Sequence, residues 1–290
     1  KNENFHFGET MFMAANGDVM AVPMLVDLIN METTSSLIKA AATYYLGGFP
    51  SEENAELNRQ LLNDDEPLVR REAIRNFLPT DLDNLTTTLL PFLKDSSLMI
   101  RNEAAAKLAP LIIADIDSTN KNRIEIAVQQ YIKTMEYSSD FAASRHNLGN
   151  LYSSIGKDDL ALENYLEAIR IDNQFFPSKI NLAMLYNRLG RNEEAEKLLI
   201  DVTTNQPDMG EAFYSLALLQ AEMGKYDESI KSLETASIIT PNNARVWFNL
   251  FKLYEFKTDI KSAENALNKC LLIEPSNIEF LYAKIEYLLK

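Results

Sequence analysis

The chain has 290 residues, 46% of them hydrophobic, and a formal net charge of −14. This apolar fraction is typical of a folded protein and excludes a disordered chain. The acidic balance argues against nucleic acid and anionic membrane surfaces as partners, because both attract clustered Lys or Arg. No apolar run is long enough to cross a bilayer, so we expect no membrane insertion.

An evenly spaced pattern, which we call the first period, recurs before Asn120. It relates three small residues, three large apolar residues and three basic residues: Ala42, Ala73 and Ala104; Leu46, Phe77 and Leu108; Lys39, Arg70 and Arg101. The stretches DDEPLVRREAIRNF and KDSSLMIRNEAAAKL, which carry this period, resemble HEAT-type repeats. The resemblance implies antiparallel helix pairs over residues 1–120. It also implies that the basic side chains bond to the preceding Asp64 and Asp95 as an internal ladder.

Residues 121–138 predict a helix that joins two repeat arrays, with Ala127 and Tyr131 in repeat register. No glycine- or serine-rich linker interrupts the sequence there, so we expect one continuous solenoid. The stretch DIDSTNKNRIEI imitates a calcium-binding loop. Its sixth residue is Asn120, where the loop needs Gly, and its twelfth is Ile126, where the loop needs Glu. We therefore expect no metal there.

Residues 139–290 follow a second, longer period. Corresponding positions carry Leu148, Leu182, Leu216 and Leu250; small residues at Ala161, Ala195, Ser229 and Ala263; and Asn173, Pro207, Pro241 and Pro275. Proline ends the second helix of a unit because it lacks an N–H and restricts the residue before it. Gly156, Gly190 and Gly224 stand where the first helix stops and the chain must turn, and Thr258 takes that place in the fourth unit.

This pattern resembles the tetratricopeptide repeat, whose units are about 34 residues long. Four units of the chain agree with it at most positions, and a closing helix follows over residues 277–290. The resemblance implies units of two antiparallel helices, which must stack because one unit cannot bury its own apolar face. We therefore predict an all-α protein. It would be a right-handed α-solenoid in which HEAT-like helix pairs precede the tetratricopeptide pairs.

In the tetratricopeptide family the first helix of each unit usually faces a concave groove, which implies a peptide-binding surface. Asn147, Asn181 and Asn249 share one position there, and an Asn amide can pair with a peptide backbone whatever its sequence. In the alternative interpretation, these asparagines have a purely structural role and bridge neighbouring helices. The predicted groove consists of His146, Asn147, Asn150, Ile180, Asn181, Met184, Arg188, Tyr214, Leu218, Arg245, Phe248, Asn249 and Lys252. Its cations, Arg188, Arg245 and Lys252, would accept acidic residues at one flank.

The carboxylate clamp with which some tetratricopeptide domains grip chaperone tails is not expected. Asn150 and Asn181 match two asparagines of that motif. His146, Glu211 and Ser215 stand in its three basic places, so the charges that hold the tail's carboxylates are missing.

No residue pattern indicates catalysis or a cofactor. The only other histidine besides His146 is His6, so a polar groove residue is the simpler interpretation of His146. Cys270 falls at a small, core-facing position, which is typical of a buried, inert thiol. The acidic run at residues 64–66 precedes a helix, where carboxylates cap free N–H groups. The sequence carries no phosphate loop, CxxC pair or nucleophile elbow.

We therefore predict a non-catalytic scaffold that binds a peptide or partner protein in the groove. An alternative rests on the order of parts, with FHFGETMFMAANGD at residues 5–18 before the two arrays. This order resembles the C-terminal region of bacterial multihaem c-type cytochrome proteins. That resemblance implies a docking region for a haem module or an electron partner and favours the bacterial periplasm or cell envelope, with the cytoplasm as the alternative location. The haem would belong to sequence outside this chain, which has no CxxCH motif.

Overall fold

The structure, a computed structural model, describes residues 7–289. Every regular element in this range is a helix, and the same range contains no strand, so the predicted all-α fold class is confirmed. The chain divides into two compact units, residues 1–171 and residues 172–290. The division falls after the first predicted tetratricopeptide pair, and the predicted domain limits at residues 120 and 138 stay predictions. His6 and the start of the FHFGE segment lie outside the described residues.

The first unit contains ten α-helices in its described part. They are α1 (Phe7–Ala15), α2 (Ala21–Asn30), α3 (Ser36–Leu46), α4 (Glu52–Leu61), α5 (Pro67–Asn76), α6 (Leu82–Leu89), α7 (Leu98–Leu108), α8 (Ser118–Tyr137), α9 (Ala142–Ser154) and α10 (Asp158–Ile171). Short 3₁₀ turns follow α6 and α7, at Leu90–Lys94 and Ala109–Ile112.

Three helices of the first unit repeat at the predicted spacing. The starts of α3, α5 and α7 are separated by the first period, and each of these helices packs on the next. The small residues at their centres, Ala42, Ala73 and Ala104, are completely buried. A larger side chain there would push neighbouring helices apart, which explains why alanine recurs at these positions.

The predicted ladder of basic residues is present along these helices. Lys39 Nζ lies 2.7 Å from the Asp64 carboxylate, and Arg70 Nη2 lies 3.2 Å from that of Asp95. Arg70 and Arg101 also donate to the backbone carbonyls of Asp64 and Asp95, each across 2.7 Å. Each aspartate therefore binds two successive bases, the earlier through its carboxylate and the later through its carbonyl.

Side-chain caps fix where several helices begin. Ser35, Ser51, Asp81 and Asp117 each accept a hydrogen bond from a backbone N–H in the first turn of the helix that follows. Asp117 starts α8 at Ser118, slightly earlier than the predicted start at residue 121. Most of the stretch DIDSTNKNRIEI is therefore helix, in which the backbone cannot wrap around a cation.

α8 belongs to the core of the first unit. It packs on α7 on one side and on α9 on the other. Ile124 and Val128 are at most 1% exposed. α9 and α10 then form the first tetratricopeptide pair, in which Leu148, Ala161 and Tyr165 are buried as predicted.

The second unit contains seven α-helices in its described part. They are α11 (Phe176–Arg188), α12 (Asn192–Asn205), α13 (Gly210–Glu222), α14 (Tyr226–Ile239), α15 (Ala244–Phe256), α16 (Ile260–Ile273) and α17 (Ile278–Leu288). Helices α11 and α12, α13 and α14, and α15 and α16 pack as pairs, and α17 packs on α16. Ala195, Ser229 and Ala263 are completely buried where the helices of each pair meet.

The turn inside each tetratricopeptide pair uses a left-handed residue. Gly156, Gly190 and Gly224 have φ of +71°, +74° and +75°. Thr258 occupies the same position in the fourth pair with φ of +59°, although a β-branched residue is strained there. The turn geometry of the repeat is therefore kept even where the sequence lacks its glycine.

Candidate peptide-binding surface

The first helices of successive pairs in the second unit are joined by side-chain hydrogen bonds. Asn187 Nδ2 on α11 donates to Glu222 Oε2 on α13 across 2.6 Å. Asn249 Nδ2 on α15 donates to the Tyr214 hydroxyl on α13 across 3.0 Å. We call the side chains that the sequence predicts for binding on these helices the first-helix surface: Ile180, Asn181, Met184, Arg188, Tyr214, Leu218, Arg245, Phe248, Asn249 and Lys252.

Two apolar side chains of the first-helix surface are open to solvent. Met184 on α11 is 61% exposed and Leu218 on α13 is 39% exposed. Ile180, Asn181 and Tyr214 beside them are half-buried. These five residues combine accessible apolar atoms with amide and hydroxyl groups, which is the composition expected of a surface that meets another chain.

Phe248 does not present its ring to solvent, in contrast to the predicted groove. It is only 6% exposed and stacks on Phe280 of α17, with ring centroids 4.8 Å apart, and on Phe251 at 5.9 Å. Phe280 of the closing helix therefore covers the Phe248 ring on α15.

The predicted cations of α15 already have acidic neighbours. Arg245 Nη1 lies 2.7 Å from Glu279 Oε2, and its guanidinium stands over the rings of Phe248 and Phe280. Lys252 Nζ lies 4.0 Å from Glu255 Oε2. Arg188, at the end of α11, is exposed. An acidic segment that binds Arg245 or Lys252 would have to displace the carboxylate of Glu279 or Glu255.

The asparagines of the predicted groove take part in the packing of the helices. Asn249 bridges α15 to α13 through Tyr214, and burial raises the pKa of the Tyr214 hydroxyl. In the first unit, the Tyr165 hydroxyl donates to Asn150 Oδ1 across 2.8 Å. Asn249 therefore makes the helix-bridging contact of the alternative interpretation, whereas Asn150 bonds within the first helix pair.

His146 lies inside this packing of the first unit. Its Nε2 is 3.0 Å from Asn150 Nδ2, and its ring lies 5.9 Å from that of Tyr165. Burial lowers the pKa of His146 from 6.5 to about 4. The imidazole is therefore neutral near pH 7, and it cannot supply a positive charge to an acidic ligand.

An open cleft of about 720 Å³ lies between helices of the first unit, and the sequence interpretation missed it. We call it the α5–α9 cleft. Its walls include Arg71 and Arg75 from α5; Met99, Asn102 and Glu103 from α7; Tyr131 and Met135 from α8; and Asn147 and Asn150 from α9. The signal that could have revealed it is the first period, which relates Arg71 to Asn102 and Glu72 to Glu103.

Charge in the α5–α9 cleft is arranged around a buried carboxylate. Glu72, 3% exposed, receives Arg71 on one oxygen and Arg75 on the other. Arg75 Nε also lies 3.5 Å from Glu103 Oε1. Burial raises the pKa of Glu103, and burial together with the nearby Glu103 charge raises the pKa of Tyr131 to about 12.

The single thiol is buried, and the described residues contain no metal-binding cluster. Cys270 is completely buried, and its Sγ lies 3.2 Å from the Leu267 carbonyl oxygen. In residues 7–289 no group of three or more His, Cys, Asp or Glu side chains is placed to hold a metal ion. None of the helices in that range is both long and apolar enough to span a membrane.

Comparison with known families identifies the second repeat system. Models of the tetratricopeptide repeat match residues 142–175, 178–203, 210–243 and 244–277. The predicted tetratricopeptide repeats are therefore confirmed over this part of the chain. These matches do not show the HEAT-like repeats or the cytochrome resemblance, and no curated protein matches the chain.

Solved structures with similar folds include two called MamA and one called YrrB. The crystal structure of MamA has 22% identity and a TM-score of 0.48, covering 55% of this chain and 96% of that one. MamA from Desulfovibrio magneticus RS-1 has 15% identity and a TM-score of 0.47, covering 61% and 97%. YrrB, described as a TPR protein with an unusual peptide-binding site, has 20% identity and a TM-score of 0.47, covering 69% and 97%.

Proposed function

We propose that the chain is a non-catalytic scaffold whose second unit binds a peptide or partner protein on the first-helix surface. The observation that carries this proposal is the exposure of Met184 and Leu218 on two helices that are tied to one another by Asn187 and Glu222. Tetratricopeptide pairs give such a surface a rigid support, because each helix is held by its own pair and by the next one.

The chemistry of the first-helix surface favours an apolar anchor with polar neighbours. Met184 is unbranched and polarizable, so it adapts to side chains of several shapes. Asn181 and Tyr214, both half-buried, carry groups that can bond to a peptide backbone. An extended or helical segment with one or two bulky side chains fits this arrangement.

Photo-crosslinking tests whether the first-helix surface is the one that a partner contacts. A photoreactive amino acid is placed at Met184 or Leu218, and in matched controls at Ile238 or Leu272, which are 80% and 77% exposed on the second helices α14 and α16. We expect crosslinked partner only from the first two positions.

Substitutions then test whether the contact contributes to affinity. Met184→Glu and Leu218→Glu should each weaken binding of the crosslinked partner at least tenfold while leaving the melting temperature nearly unchanged, because both side chains are exposed. Ile238→Glu and Leu272→Glu should bind like the parent chain. Equal crosslinking from both helix sets, or equal affinity of all four variants, would contradict the proposal.

A further inference from the structure

The α5–α9 cleft contains hydrogen-bond donors that lack a good acceptor. Arg71 Nη1 points at the thioether of Met99 across 3.4 Å, and Asn147 Nδ2 lies 3.8 Å from that of Met135. A thioether sulfur accepts only weakly, so both donors would gain from an oxygen acceptor. Among residues 7–289 no side chain or carbonyl pairs with the Tyr131 hydroxyl, which also lines the cleft.

The two arginines of the cleft are held in place before any ligand arrives. Glu72, buried behind them, binds Arg71 through Nε and Nη2 and Arg75 through Nη1. A guanidinium that is fixed on one edge still offers donors on its other edge, in the fork geometry that matches a carboxylate. Because Arg71 and Arg75 lie one helical turn apart on α5, they project into the cleft from the same face.

The rest of the cleft combines polar side chains, such as Asn102 and Asn150, with adaptable apolar ones. Met99 and Leu98 line one side and Met135 and Leu151 line another. Leu98 is 47% exposed and lines the same cleft as the two arginines. A bulky apolar side chain placed next to the ligand's carboxylate would cover these groups and remove them from water.

We propose that the α5–α9 cleft binds a peptide segment in which an acidic side chain stands next to bulky apolar residues. The carboxylate pairs with Nη1 of Arg71 and Nη2 of Arg75 and accepts from Asn147, and the apolar neighbours pack on Met99 and Met135. The cleft volume of about 720 Å³ lies within the range of about 300–1,000 Å³ that is typical of ligand pockets. This site belongs to the first unit and does not depend on the function proposed for the second.

Glu103 opposes such a ligand and therefore gives the proposal a distinctive test. Its carboxyl group lies beside Arg75, with Glu72, Arg71 and Lys107 as the other charged groups near it and Tyr131 close enough to be affected by its charge. A ligand carboxylate that joins Arg75 meets the like charge of Glu103. Glu103→Gln should therefore tighten binding of the acidic peptide several-fold, whereas a merely structural role would leave affinity unchanged.

Calorimetric titration of the full chain tests the proposal with defined probes. The probes are the acetylated and amidated peptide Gly-Leu-Glu-Leu-Gly, the same peptide with Gln in place of Glu, and free glutarate. We expect the Glu peptide to bind at least tenfold more tightly than the Gln peptide or glutarate. Equal binding of the Glu and Gln peptides, or no binding of either, overturns the proposal. Glutarate binding as tightly as the peptide overturns its peptide part.

Variants place the bound peptide in the cleft without breaking the buried ion pairs. Ala106→Phe should fill the cleft and abolish binding, and Asn147→Leu should weaken it at least fivefold. Arg59→Gln removes an exposed arginine of α4 that pairs with Glu52 and Glu56, and it should bind like the parent. Circular dichroism checks that each variant is folded. A folded Ala106→Phe variant that binds like the parent would place the peptide elsewhere.

Discussion

Arg70 and Asp95, distant in the chain, form an ion pair 3.2 Å long whose side chains are only 14% and 13% exposed. Arg70 also donates to the carbonyl oxygens of Asp64 and Asp65, across 2.7 and 2.9 Å. Asp95 in turn accepts from the Ser97 N–H across 2.8 Å, just before α7 begins. The Arg70 guanidinium thus ties the start of α5 to the start of α7.

We expect Arg70→Met to destabilise the first unit by about 2–4 kcal/mol, because it leaves the Asp95 carboxylate without its partner and an unpaired buried charge is costly. The substitution also removes two bonds to backbone carbonyls. Urea denaturation followed by circular dichroism measures the change. Arg59→Met is the control, because Arg59 pairs with Glu52 and Glu56 at the surface, and its loss should cost much less stability than that of Arg70. Equal losses for the two variants would show that the ladder is not structural.

The sequence predicts this ladder because period and residue type coincide there. A basic residue recurs once in every repeat of the first period. Asp64 precedes the second of these residues and Asp95 precedes the third, so each of these two bases has an acidic partner nearby in the sequence. The accessibility of the first-helix surface was harder to predict. Position in the repeat identifies Phe248 as a residue of the first helix, but only the packing of α17 shows that Phe280 covers its ring.

The α5–α9 cleft illustrates the same limit for a site. Arg71, Glu72 and Glu103 stand next to the ladder residues in the sequence, where they read as ordinary charges of an exposed helix face. That Glu72 is buried between two arginines depends on how α7 packs on α5, which involves contacts distant in sequence. The local periodicity predicts the helices, whereas the cleft between them depends on how the helices pack in three dimensions.

Thr258→Gly should stabilise the second unit by about 0.5–1 kcal/mol, because glycine relieves a left-handed backbone conformation. Thr258 has φ of +59°, where a β-branched residue is strained, and part of the gain is offset by the entropy of the unfolded glycine. Gly224→Ala makes the opposite change at the matching turn, where φ is +75° and no atom lies within 4 Å of an added Cβ. It should therefore lose about 1 kcal/mol or more through backbone strain alone. Thermal unfolding that shifts in the same direction for both variants would contradict this interpretation.

His146 should make the chain less stable as the pH falls below about 6.5. Its pKa in the folded chain is about 4, because burial disfavours the charged ring, so between these values the unfolded chain binds the additional proton. The loss should reach on the order of 3 kcal/mol near pH 4 and then level off. The free energy of unfolding is measured by urea titration at pH 7, 5.5 and 4.5.

The control for His146 is the substitution His146→Gln, which keeps a side-chain amide near Asn150 but does not titrate. Other acidic groups change stability in the same pH range, and they do so equally in both chains. The difference in unfolding free energy between parent and variant should therefore move in favour of the variant as the pH falls. A constant difference from pH 7 to pH 4.5 would mean that the ring is not buried as described.

The segment from residue 113 to residue 122 should resist limited proteolysis under native conditions. α8 starts within it, capped by Asp117, and the helix is held to the first unit by the buried Ile124 and Val128. Backbone in a packed helix is a poor substrate because cleavage requires local unfolding. Mass spectrometry of a short trypsin digest locates the early cuts, at Lys121 if the expectation fails. Rapid cleavage there into two stable fragments would place a domain boundary near Asn120.

Cys270 should be unreactive toward thiol reagents until the second unit unfolds. Its side chain is completely buried on α16, and burial raises the pKa of the thiol to about 11, so at pH 8 only about one thiol in a thousand is ionised. We expect no labelling by a disulfide reagent of the native chain over an hour and one equivalent in concentrated urea. Leu272→Cys in a Cys270→Ala background is the matched control, because Leu272 is 77% exposed on the same helix, and it should react within minutes. If the parent reacts as quickly as this control, the fourth helix pair does not have the packing register in which position 270 faces its core.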